Sequence, residues 1–157
     1  MRNGRYERNA QVEDYPVGLS NLAYGDVTRD GAEEAAVVLF ENVRGSAIPY
    51  YVFIYSIVDG SPKLLWSFET GDPPDGGLRQ VNGENGDLVI ELYGKGTSIG
   101  GRVYGTEAAA CCPRFISRTR YQWSNGRFSK NGETEVTANP SSGAAVIMPR
   151  YGASSSP

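Results

Sequence analysis

Oxygen-bearing side chains stand at alternate positions in GDVTRDGAEEAAVVLF, residues 25–40. Counted from Asp26, positions one, three, five and nine are Asp26, Thr28, Asp30 and Glu34, with Gly31 at position six. Calcium takes roughly six to eight hard oxygen ligands, and a short loop offers them from alternate residues plus a carbonyl at the seventh position, here Ala32. Asp26, Thr28, Asp30, Ala32 and Glu34 are therefore a candidate calcium set. Position twelve is Val37, where an EF-hand needs a bidentate Glu, so this is not an EF-hand. The competing and preferred reading is a polar turn. Asp26 and Thr28 bond local backbone N–H groups, Asp30-Gly31 makes a bend, and Glu33 and Glu34 are solvated charges at the entrance of a buried strand.

A second place for chemistry is AAACCPRF, which holds the two cysteines of the chain side by side, Cys111 and Cys112. Adjacent Cα atoms lie about 3.8 Å apart, whereas ordinary disulfides span ~4.4–6.8 Å. A vicinal disulfide would close a strained ring, easily reduced and suited to redox switching. Three other readings stay open: each thiol fills a small buried site, one bridges to another chain, or both are free in a loop.

Other chemistry is scarce. The chain has no histidine, which removes His-based triads, dyads and zinc sites. Hydrolysis by two carboxylates needs a pair set across a cleft, and the spacing of Glu69, Asp72, Asp75 and Glu91 singles out none. No enzyme activity is expected. With 15 basic against 18 acidic side chains, there is no basic footprint for nucleic acid. Arg114, Arg118 and Arg120 read as a solvated strand face. The aromatic content, 10 Tyr, 5 Phe and 2 Trp, permits stacking on sugars, although Trp66, Tyr51, Phe53 and Trp123 on strand faces more ordinarily fill a core.

The elements that must position these residues are strands. At 157 residues and 39% hydrophobic, the chain supports one core. No window reaches the ~18 apolar residues of a membrane span. Asp59-Gly60, Asn82-Gly83, Asn125-Gly126 and Asn131-Gly132 each offer the paired positive φ of a type I′ turn. Residues 34–40 and 48–58 are apolar on both alternating faces and are expected to be central and covered on both sides. Leu64, Trp66 and Phe68 share one face, as do Leu88, Ile90 and Leu92; Tyr121 and Trp123 point inward, with Arg118, Arg120 and Gln122 outward. Residues 127–136 read as a short hairpin. The expected fold is mostly β with little helix: an antiparallel meander forming a single-domain sandwich or partly open barrel. It spans 15–139, after an N-terminal segment (1–14) and before a partly disordered tail (140–157) in which Ala144–Met148 offers one more strand.

The loop resembles the Asp-rich loops of FG-GAP repeats in integrin-type propellers, which also run into an apolar strand. The chain is more similar to a group of uncharacterised exported bacterial β domains. Those carry the pattern GD-x-T-x-DG-x-EEA-x-VVL, then aromatic strands, CCP and Y-x-W. The matching stretches here are residues 25–39, 50–57, 64–72, 111–113 and 121–123, so the likeness covers roughly 20–130. The sequence departs from FG-GAP at Thr28, where a carboxylate is replaced, and at Arg29, a cation in mid-loop; the pattern also occurs once, and one blade cannot close a propeller. The resemblance implies an extracytoplasmic location, periplasmic, lipid-anchored or secreted. Residues 1–10 are polar and show no apolar leader core, which leaves cytosolic and processed forms both open.

These features point to a non-catalytic module that binds a partner or shapes an assembly, with no cofactor or one calcium ion. The alternatives are a small redox protein using Cys111 and Cys112, and a carbohydrate-binding module. Expected partners are a protein, a glycan or a second copy paired through an edge strand.

Overall fold

Turn chemistry and alternation build ten strands and no helix among the described residues, which in this computed structural model are 5–6, 17–41, 49–71, 76–95 and 113–141. The strands are β1 (Arg5–Tyr6), β2 (Val17–Gly25), β3 (Glu34–Glu41), β4 (Tyr50–Val58), β5 (Ser61–Thr70), β6 (Leu78–Glu84), β7 (Asp87–Tyr93), β8 (Phe115–Ser124), β9 (Arg127–Lys130) and β10 (Glu135–Ala138). All pairings are antiparallel. One sheet runs β1-β2-β3-β4-β5; the other runs β6-β7-β8, with β9 and β10 both on the far side of β8. The sheets do not close into a barrel. They pack face to face as a sandwich, β2 against β6 and β5 against β9.

The core lies between them. Ala36, Val38, Val52, Ile54 and Phe68 of the first sheet meet Val81, Leu88, Ile90, Leu92 and Tyr121 of the second. Trp66 on β5 ties the layers together, with its ring centroid 5.2 Å from Tyr121 and 5.4 Å from Phe128. Such tilted and stacked aromatic pairs add roughly 0.5–1.5 kcal/mol each beyond burial. At the β2–β6 edge the backbones nearly touch: a Cβ on Gly83 would lie 3.0 Å from the Gly25 Cα and 3.0 Å from Val27 Cγ1. A side chain at either glycine would force its neighbours to give way.

The turns and strand ends depart from the sequence pattern at several places. Asp59-Gly60 (φ 52° and 74°) and Asn125-Gly126 (52° and 76°) are the I′ turns expected. Asn82-Gly83 is not a turn: it lies inside β6, and the reversal falls at Asn85-Gly86, with φ 54° and 79°. Residues 127–136 do not form a hairpin. β9 and β10 run in one direction along the same edge of β8, because two extra residues near Asn131-Gly132 widen the line without reversing it. Asn131 N–H donates to the Arg120 carbonyl (2.8 Å), and the Thr119 and Thr134 hydroxyls lie 3.0 Å apart. Leu64 does not share a face with Trp66 and Phe68. A bulge at Leu65 pairs Trp66 with Ile54 but Leu64 with Tyr55, so Leu64 turns to the outer face. Ala144–Met148 and most of the N-terminal segment and tail lie outside the described residues, although Arg5–Tyr6 pairs with Val17 and Gly18 of β2.

Candidate functional site

The loop between β2 and β3 forms a closed set of hydrogen bonds. Glu34, 2% exposed, begins β3 on its inner side, and its Oε2 accepts the backbone N–H groups of Val27 (3.1 Å) and Thr28 (3.0 Å). The Thr28 hydroxyl donates to Glu34 Oε1 at 3.3 Å. Asp26 accepts from the N–H groups of Asp30 and Gly31, each at 3.1 Å, and Asp30 Oδ1 accepts from Ala32 N–H at 2.8 Å. The five residues proposed for calcium thus share one loop, but every carboxylate among them receives a backbone N–H, and Ala32 contributes its N–H to Asp30. Among the described residues, no three or more His, Cys, Asp or Glu side chains are grouped to hold a metal. Glu34 is not the solvated charge expected of it; it caps the loop from inside and lets Val27 enter the core. Arg29, at φ 64°, points away from the acids and across to the other sheet, donating to the Gly86 carbonyl (3.2 Å) and to Asp87 Oδ1 (2.9 Å). These bonds close the loop on itself and tie it to the β6–β7 turn.

Cys111, Cys112, Asp72 and Asp75 lie outside the described residues. Glu69 and Glu91 project from opposite outer faces of the sandwich, so they do not face each other across a cleft. A polar cavity of about 210 Å³ opens where bulges at Ser20 of β2 and Arg79 of β6 face each other, lined also by Asn21, Tyr50, Gln80 and Tyr93.

The two outer faces differ sharply in chemistry. On the second sheet, the register sets Glu91 of β7 opposite Arg118 of β8, and Val89 opposite Arg120. Arg118 donates to Glu91 Oε1 (2.7 Å) and to Glu84; Arg79 donates to the other Glu91 oxygen; Arg120 lies 3.5 Å from Glu84. Arg118 and Arg120, expected on a solvated strand face, are half of an ion-pair lattice beside the fully buried Val89, whereas the exposed Arg114 precedes β8. The hydrogen bond from Arg118 holds the Glu84 carboxyl below the ordinary carboxylate range, and Glu84 in turn raises the Arg118 guanidinium.

The first sheet presents the reverse. Its outer rows, read across β2 to β5, are Tyr24, Ala35, Tyr55, Leu64; then Leu22, Val37, Phe53, Ser67; then Leu19, Leu39, Tyr51, Glu69. Ile57 extends the face beyond Tyr55. Tyr24 is 59% and Ile57 61% exposed; Leu19, Leu22 and Leu64 are also exposed, and Val37, Leu39, Phe53 and Tyr55 are half-buried. Among the described residues, strands expected to be covered on both sides are therefore covered by a packed layer on one side only. Phe53 and Tyr55 stack at 6.4 Å. The charges in these rows sit at one end: Tyr51 donates its hydroxyl to Glu41 (3.2 Å), and burial, that bond and nearby Glu69 push its pKa up. Sequence reasoning had the signal for this face in the two-sided apolar runs of residues 34–40 and 48–58, but alternation does not say whether a second layer arrives. No family model, curated protein or solved structure matches this chain.

Proposed function

We propose that the protein is a non-catalytic β module that binds or assembles through the outer face of its first sheet. The observation that supports this is the uncharged face of Leu19, Leu22, Tyr24, Val37, Phe53, Tyr55 and Leu64, on a sandwich whose opposite face is sealed by ion pairs. Large exposed apolar patches mark interaction sites, because leaving them in water is unfavourable at roughly 25 cal/mol per Å². An extracytoplasmic setting rests on the motif resemblance alone. The test is binding of an anilinonaphthalene sulfonate dye to the folded protein at high dilution. Fluorescence should rise with the wild type and fall to baseline in Leu22→Arg. A wild type that leaves the dye dark counts against the reading.

A carbohydrate-binding role is favoured by one feature, the polar cavity at the paired bulges, where Tyr50 and Tyr93 stand beside Asn21 and Gln80. Shifts of the Asn21 and Gln80 side-chain amides in NMR spectra on adding sugars would support it, and unmoved amides would dismiss it.

A further inference from the structure

The face just described has a shape and charge that select one occupant. We infer that it is covered by the same face of a second copy, forming a two-fold sheet-on-sheet dimer; this rests on the reading of that face as the docking surface. Four strands spaced ~4.8 Å apart, with about seven residues each at ~3.4 Å, make a patch of roughly 20 by 25 Å. Two such patches remove on the order of 1,000 Å² from water, the threshold of a specific interface and the range of reversible ones. The face carries no basic side chain in its rows, so nothing on it calls for an acidic partner. What it fits best is another uncharged pleated surface.

The charges also fix the orientation. Glu41 and Glu69 flank Tyr51 at one end of the face, while the other end presents Ile57, Pro62 and Leu64, with the exposed Asp59 and Lys63 beside them. A dyad lying in the interface and running across the strands sets each acidic end over the apolar end of the other copy. A dyad along the strands would put the acids at one end together, where like charges repel. The geometry therefore places Leu64 of one copy near Glu41 and Glu69 of the other, and Val37 and Phe53 near the axis.

Sedimentation velocity across a concentration series reads this out. The wild type should move from the 17.0 kDa chain mass toward twice that value as concentration rises. Phe53→Arg should stay monomeric, and Leu22→Arg, at a more exposed position, repeats the test where folding is less at risk. Leu64→Lys should dimerise about two- to tenfold more tightly at low salt, through the acids of the other copy. A dimer indifferent to Phe53→Arg and Leu22→Arg, or weakened by Leu64→Lys, overturns the inference. A wild type that stays monomeric yet lights the dye overturns the second copy and leaves the docking face standing. A monomer that leaves the dye dark overturns both, since the face is then covered from within the chain.

Discussion

The outer faces of the two sheets were made by the same alternation rule and ended with opposite surfaces. On β7 and β8 the outward positions are Val89, Glu91, Arg118 and Arg120, and the charged groups find one another directly across the register. Val89, opposite Arg120 in the register, is fully buried, in keeping with the way long charged side chains lay their stems over apolar neighbours and keep their heads near water. On β3 and β4 the outward positions are Ala35, Val37, Leu39, Tyr51, Phe53 and Tyr55, which have no such heads to offer. A sheet face completed by long charged side chains is finished by itself. A face of short apolar and aromatic ones stays open to water unless something is laid on top of it.

Each face can be disrupted separately. The largest expected effect is on the ionic face. Glu91→Ala leaves Arg79 and Arg118 without their shared carboxylate and should cost about 2–3 kcal/mol in urea unfolding. That is less than for a fully buried pair, because the arginine side chains are 36% and 25% exposed. A loss under about 0.5 kcal/mol would mean the lattice is surface decoration. Next comes the joint that holds the faces apart. Gly83→Ala forces a methyl against the Gly25 backbone and Val27 and should cost about 1–2 kcal/mol by the same measurement.

Acid weakens one face and spares the other. Arg118 lowers the Glu84 pKa from its ordinary 4.5, so this contribution is complete above that pH and is lost as pH falls through the folded value. Wild-type stability should therefore drop by about 0.5–1 kcal/mol more than that of Glu84→Gln between neutral pH and pH ~3. Equal slopes would remove Glu84 from the account. The smallest effect belongs to the apolar face in the monomer: Leu22→Thr should change unfolding stability by less than about 0.5 kcal/mol while abolishing dye binding. Calcium sharpens the reading of the loop as a clasp. With its carboxylates already bonded to backbone N–H groups, the thermal midpoint should not move on adding calcium, and a rise would restore the metal reading.

Alternation made the layers legible: Leu88, Ile90 and Leu92 inward on β7, Tyr121 and Trp123 inward on β8, two turns at Asp59-Gly60 and Asn125-Gly126. What it could not show was decided by contacts between sheets. VNGENGD holds two Asn-Gly pairs of equal local merit; the turn falls at Asn85-Gly86, and Gly83 lies inside β6 against Gly25. The bulge at Leu65 reverses the phase of β5 with no local mark in the sequence. Glu34 looked like a surface charge because its partners, the N–H groups of Val27 and Thr28, are backbone atoms that residue types do not reveal. The candidate face was visible as two strands too apolar for one buried side, but the lack of a second layer among the described residues was not.

Hydroxyl-radical footprinting over a concentration series reads the exposure of the first sheet's outer face residue by residue. In dilute protein, Leu19, Leu22, Tyr24, Ile57 and Leu64 should all be oxidised, and they should become protected together as the concentration rises, while modification of Val136 on the other sheet stays constant. Protection of those five residues at every concentration would contradict the account, because the face would then never be open to a partner.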